Sequence, residues 1–236
     1  MDKVRKLEEC IGKRIKTNES LIEHTLLHIP VNAEMYFETD AQDILIKIIS
    51  EARKLHIPVY ILGSGARITL EKDIKGLVIK NLCRRFDKAS VKGMIKKNEI
   101  GVQNVQVYAQ AGVLMNQLVR FTIEEGLSGL EYQLGLPGTV GGAIFTNAKY
   151  KPKYLPVSKF LQSVTLLSEN GEIQTYNGEV PYFVFTDEIW QESKDVILSA
   201  VFKLIPTEKK ILWERAEEAV MWRKQQEEKI LQVKNT

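Results

Sequence analysis

Gly126-Leu127-Ser128-Gly129-Leu130-Glu131-Tyr132-Gln133-Leu134-Gly135-Leu136-Pro137-Gly138-Thr139-Val140-Gly141-Gly142-Ala143-Ile144-Phe145-Thr146-Asn147-Ala148 is the stretch from which the rest of the chain is read. Pro137 sets its own φ and suits the first position of a short helix, while Gly138, Gly141 and Gly142 let backbone approach a ligand with no Cβ between. Backbone amides at a helix start lack intrahelical acceptors and attract phosphate. The same residue types also make ordinary tight turns. Two readings therefore stand at this point, a phosphate loop and a turn, and the flanking chain has to separate them.

Upstream, Val59-Tyr60-Ile61-Leu62 reads as a buried strand after Pro58, followed by the turn Gly63-Ser64-Gly65-Ala66-Arg67 and the apolar run Gly76-Leu77-Val78-Ile79. A dinucleotide fingerprint would need a third glycine at position 68, a helix after it and an acidic residue about twenty further on. Ile68 stands at that position, Ile68-Thr69-Leu70 favours strand, and Asn81, Arg84 and Arg85 occupy the distal region. A Rossmann reading fails on all three counts. What remains is a nest of glycine-freed amides suited to an anion, with Arg67 either pairing with it or pointing to solvent.

The neighbouring elements alternate. Met35-Tyr36-Phe37 reads as a strand, and Ile44, Leu45, Ile48, Ile49 and Ala52 recur at helical spacing from Ala41 to Leu55, with Asp40 as candidate cap. Val105 to Ala109 alternates as a strand, Ala111-Gly112-Val113 turns the chain, and Leu114 to Glu125 is a helix ended by Gly126. Downstream, Phe160 to Leu167 and Glu172 to Tyr176 form a hairpin around Asn170-Gly171, and Val196 to Phe202 is a core strand. Thr207 is placed to cap a last helix whose apolar face is Ile211, Leu212, Ala216, Ala219 and Val220, before a charged tail. Leu7, Cys10 and Ile11 suggest a short surface helix at the start.

Composition excludes several classes. Thirty-three basic against 30 acidic residues in 236 give a net charge of only +3, too mild and too evenly spread for nucleic acid or an anionic membrane. The basic blocks at Cys83-Arg84-Arg85 and Val91 to Lys97 read as solvated turns. Cys10 and Cys83, the two cysteines, lack metal or disulfide spacing, so a reducing cytoplasm is expected. His24 and His28 stand four apart, but Pro30 and β-branched Thr25 favour an extended segment over a metal-binding helix face.

The stretch from Gly126 resembles the UDP-N-acetylenolpyruvoylglucosamine reductases (UDP-N-acetylmuramate dehydrogenases), whose pattern there is close to GLSGLE…GIPGTVGGA…NAG. The likeness extends back through Ala111-Gly112 and Leu62-Gly63-Ser64-Gly65-Ala66-Arg67 to His24-Thr25, and forward to Leu204. It implies an α+β, PCMH or vanillyl-alcohol-oxidase type fold of two α+β subdomains with FAD between them. Their expected bounds are residues 21–83 and 84–205, after an N-terminal extension over 1–20 and before a C-terminal helix and tail over 206–236. By this analogy Leu62 to Arg67, Ala111, Gly112, Leu136, Pro137, Gly138, Thr139, Val140, Gly141, Gly142 and Asn147 line the cofactor.

The family reaction, a step in peptidoglycan precursor synthesis, passes a hydride from NADPH to flavin and then to an enolpyruvyl UDP-sugar. Developing negative charge there calls for cationic stabilisers and a proton donor. The family supplies an Arg from an F-x-Y-R segment, where this chain has Phe183-Val184-Phe185-Thr186, so Thr186 stands at the Arg position and no catalytic residue is assigned. The GSxFKNP-type segment and the Glu of a third domain have no counterpart in the sequence. Three readings follow: a shortened reductase completed by a partner, with a homodimer or heteromer implied; a flavin-binding or electron-transfer subunit; and a flavin-free scaffold.

Overall fold

Apolar strands lay down two main sheets and a two-stranded ribbon. The computed structural model describes residues 2–26, 28, 30–66, 68, 72–96, 99–178 and 194–234, of which residue 2 and the segments 93–96, 99–102 and 229–234 are described as backbone alone. The expected extension folds into helix α1 (Asp2–Ile11) and strand β1 (Lys16–Ser20), and β2 (Asn32–Thr39), helix α2 (Gln42–Lys54), β3 (Val59–Leu62) and β4 (Ile74–Asn81) follow. The first sheet runs β1-β2-β4-β3, with β1 antiparallel to β2, and β2 and β3 each parallel to β4. Buried Leu45, Ile48, Ile49 and Ala52 press α2 onto this sheet, and Leu7 and Ile11 of α1 join the same core. Each fully buried Leu or Ile contributes about 1.5–3 kcal/mol, so the α2 face is a main source of stability.

The second layer comprises β5 (Phe86–Lys96), β6 (Glu99–Gln110), α3 (Met115–Glu124), β7 (Leu127–Ser128), α4 (Val140–Phe145), β8 (Lys149–Tyr150), β9 (Leu155–Pro156), β10 (Leu161–Leu167), β11 (Ile173–Asn177), β12 (Val196–Pro206) and α5 (Lys209–Lys234). Its antiparallel sheet is ordered β11-β10-β12-β6-β5, and β7 pairs with the end of β12. The β10–β11 hairpin forms as the Asn170-Gly171 turn predicts, with Gly171 at φ +84°. Gly126 terminates α3 at φ +67°.

The two layers share a seam. Leu167, Val196 and Leu198 of the second sheet are buried in the same cluster as Leu45, Ile48 and Ile79 of the first. Arg53 of α2 crosses the seam, donating to the carbonyl of Ser168 at 2.6 Å and to that of Lys194.

Three local expectations are corrected. Val91 to Lys96 is not a solvated turn but part of β5, whose ladder to β6 supplies the order that its charged sequence does not signal. Asp40 does not cap α2: Ala41 stands at the N-cap with no side-chain bond, and the Thr39 hydroxyl takes the Ala41 amide at 3.2 Å. On α5, Leu212, Ala216 and Ala219 are buried while Ile211 is exposed.

Candidate functional site

The first wall of the site grows from the carboxyl end of β3. There the chain leaves the sheet at Gly63, and Gly65 adopts φ +66°, where a Cβ would sit 2.6 Å from the Thr25 Cα. Only glycine lets this turn lie so close to the Thr25 segment. The Gly65 carbonyl accepts from the Leu26 amide at 3.3 Å, and Leu62 behind the turn is fully buried.

The second wall is the loop entering α4. Met115 N–H donates to Gly138 O at 3.0 Å and Val140 N–H to Val113 O at 2.8 Å, flanking an antiparallel bridge between Leu114 and Thr139. In a pair flanked this way the two residues do not bond each other, so the Thr139 amide points away from Leu114. Thr139 is the N-cap of α4, its Oγ1 accepting from the Gly142 amide at 3.3 Å. Beneath it, Gly141 donates to Ala111 O at 2.8 Å, and a Cβ on Gly141 would meet the Ala111 Cβ at 2.9 Å. Gly112 is equally confined, its hypothetical Cβ 2.7 Å from the carbonyls of Asn81 and Cys83. Ala111-Gly112 is thus the floor on which both walls rest.

The walls meet. A Cβ on Gly63 would lie 2.6 Å from Thr139 Oγ1 and 3.2 Å from its Cγ2, although 76 positions separate the two residues. The resulting cleft, about 260 Å³, is lined by Gly63, Ser64 and Thr139 together with Lys80, His24 and Leu114. Among the described residues, the amides of Ser64, Gly138 and Thr139 have no protein acceptor. Gly138, at φ +135°, has open space where a Cβ would project, and Pro137 and Gly142 are exposed. Free amides, bare glycines and a cation beside them fit a phosphate-bearing ligand.

Other groups around the cleft are already engaged. His24 Nε2 lies 3.0 Å from Glu19 Oε1, and its Nδ1 3.0 Å from the Tyr36 hydroxyl, which donates to Glu38 Oε2 at 3.0 Å. Burial, then the Glu38 contact, pushes the Tyr36 phenol well above its ordinary range, so it acts as a fixed neutral donor. Hydrogen bonding to Lys16, and then to His24, lowers the Glu19 carboxyl. His28 binds the Ile22 carbonyl at 3.1 Å, and the two histidines do not converge. Among the described residues no group of three His, Cys, Asp or Glu side chains could hold a metal ion.

The remaining expected residues divide. Leu136 and Val140 are buried in the second core. Ala66 follows the first turn, half-buried. Asn147, at φ +41°, uses its Oδ1 to accept the Ser158 amide at 3.2 Å, which makes it a brace of the loop. Arg67 and Thr186 lie outside the described residues. Sequence reasoning missed Lys80, Asn81, Arg84 and Leu114. One signal was available: Lys80 and Asn81 end an apolar parallel strand, and ligands of such sheets gather at carboxyl ends.

The first half of the opening stretch supports rather than lines the cleft. Glu131, 2% exposed, accepts the Gly129 amide at 2.5 Å and the Ser128 hydroxyl at 2.9 Å, and pairs with Arg215 of α5 at 3.0 Å. Arg223 of α5 donates to the carbonyls of Leu134 at 2.8 Å and Tyr132 at 2.9 Å.

Two α+β layers meeting at a glycine-lined cleft are the architecture of the PCMH-type flavoproteins. Residues 33–177 match the family model described as FAD binding domain. The chain belongs to that family and, within it, to the UDP-N-acetylenolpyruvoylglucosamine reductases. It is 30% identical over 223 residues to the reductase of Carboxydothermus hydrogenoformans, covering 92% of this chain and 69% of that one. With the Clostridium tetani reductase the identity is 27% over 226 residues, covering 94% and 68%. The crystal structure of the Thermus caldophilus reductase shares the fold at TM-score 0.64 and 23% identity, covering 89% of this chain and 70% of that one. Among the described residues no helix is long and apolar enough to cross a membrane.

Proposed function

We propose that this chain holds FAD between its two layers as the cofactor-binding part of a cytoplasmic reductase that moves a hydride from NADPH to an enolpyruvyl UDP-sugar. The observation that carries the reading is the meeting of the two glycine turns at one cleft, Gly63 against Thr139. Two such turns, on separate layers, would hold a diphosphate through the backbone amides of Ser64, Gly138 and Thr139. When bound, the flavin supplies the hydride-carrying ring; the protein's share is to hold and orient it.

Substrate-side chemistry is assigned to polypeptide additional to these 236 residues, because Thr186 is too short and uncharged to stabilise an enolate-like intermediate. Loss of one preorganised donor costs on the order of 3 kcal/mol, or two to three decades in rate. The test is extraction and chromatographic identification of flavin from the purified chain, followed by anaerobic addition of NADPH and then the enolpyruvyl UDP-sugar. The expected result is FAD, with reoxidation by the sugar slow until the complementary polypeptide is added. A preparation that neither carries FAD nor takes it up refutes the reading.

A further inference from the structure

We propose that Lys80 is the residue that makes this cleft specific for a diphosphate-bearing flavin over the uncharged flavin nucleus. The inference rests on the FAD reading and adds to it a side-chain determinant. Lys80 is paired in register with Leu62, the residue before the Gly63 turn, so the parallel β3–β4 ladder places it at the root of the first wall. It shares a sheet face with Val78, opposite the face covered by α2, and that face carries the His24 segment. Its ammonium is half-buried and lies 3.5 Å from the His24 carbonyl.

Among the described residues the carboxylates near this ammonium act on it only from a distance. Glu38 is its cross-strand neighbour on β2, but its carboxylate is turned to the Tyr36 hydroxyl and acts on Lys80 through space, without a direct ion pair. Glu19, the other nearby carboxylate, is held by Lys16 and His24. Arg84, also lining the cleft, adds positive charge. Among the described residues no carboxylate reaches within 4 Å of the Lys80 ammonium. Burial accordingly pulls the Lys80 pKa down, against an opposing pull from Glu38 and with a further push from Arg84. A desolvated cation beside the free amides of Ser64 and Thr139 is stabilised by an anion placed in the cleft, and the diphosphate is the anionic part of FAD. Riboflavin offers no such charge, so the same lysine contributes nothing to its binding.

The experiment compares the parent chain with Lys80→Met, Lys80→Gln and Lys80→Arg, each stripped of flavin and titrated with FAD and with riboflavin by flavin fluorescence at low and high salt. Loss of a charge-assisted contact is expected to weaken FAD about 10- to 100-fold in the Met and Gln variants. Riboflavin affinity stays unchanged, the salt dependence of FAD binding flattens, and Lys80→Arg stays within a few-fold of the parent. Met and Gln variants that bind FAD as tightly as the parent, or lose FAD and riboflavin equally, overturn the assignment while leaving the FAD reading intact. A parent chain that binds no FAD refutes both.

Discussion

Gly63→Ala tests the meeting of the two walls directly, because two opposing effects of known size act at that position. Gly63 is not among the positive-φ residues, so an alanine there is free of backbone strain. On that ground alone the substitution stabilises by about 0.4–1 kcal/mol, through a less disordered unfolded chain. Against this, the new Cβ lands 2.6 Å from Thr139 Oγ1 and 3.2 Å from Cγ2, atoms that are held in place by the cap on Gly142. Overpacking of this kind costs about 1–3 kcal/mol, so the clash wins and the variant is destabilised. With Thr139→Ala in place the two offending atoms are gone, and the nearest remaining one is the residue-139 Cβ at 3.5 Å, an ordinary contact. Thr139→Ala by itself costs about 1 kcal/mol for the lost cap. Gly63→Ala is therefore expected to destabilise the parent and to be neutral or stabilising in the Thr139→Ala background, a change of sign. Urea unfolding of the four flavin-free proteins measures it, with FAD titration of each as the companion readout. Equal effects of Gly63→Ala in both backgrounds would refute the contact between the walls and, with it, the cleft as drawn.

Three further outcomes follow from two buried groups. Glu131→Ala leaves the buried Gly129 amide without its acceptor and Arg215 without its carboxylate partner, and is expected to lower stability by about 1–3 kcal/mol in the same urea assay. Burial raises the Cys83 thiol from 9.0 to about 11, so at pH 8 iodoacetamide should label Cys10 and spare Cys83 until the chain is unfolded. Because the folded value is the higher one, the Cys83 contribution is complete below pH 9 and lost as pH rises through about 11. The effect is visible as a steeper alkaline loss of stability in the parent than in Cys83→Ala.

The elements that the sequence announces are those whose apolar period matches a single partner. Leu45, Ile48, Ile49 and Ala52 mark α2 because one face meets one sheet, and Asn170-Gly171 marks its hairpin because the turn needs φ above zero. β5 is silent for the converse reason: Lys88 and Lys92 suit the strand that stands at the sheet's edge among the described residues, where charge discourages further pairing, so its order comes from the ladder to β6. At the site, glycines were legible because only glycine meets the backbone demands at Gly65, Gly112 and Gly141. Lys80 was legible only as the end of an apolar parallel strand; its place beside the Gly63 turn depends on the β3–β4 register, which no local pattern encodes.

The cleft also explains why a charged C-terminal helix belongs to a cofactor-binding fold. Among the described side chains of its apolar face the fully buried ones are Leu212, Ala216 and Ala219, with Trp213, Val220 and Trp222 partly buried against the cores, and two of the three buried ones are alanines that bury little area. Arg215 and Arg223 supply what that face lacks by gripping Glu131 and the carbonyls of Tyr132 and Leu134, a few residues before Pro137. The second wall is thus braced from α5, the first from the Thr25 segment, and the two touch at Gly63 and Thr139. A ligand that needs both walls binds only when both layers are docked, so it stabilises the docked state by mass action, about 2.7 kcal/mol at a hundred times its dissociation constant. A ligand held by both walls would therefore draw on the helix behind the second loop as much as on the loop itself.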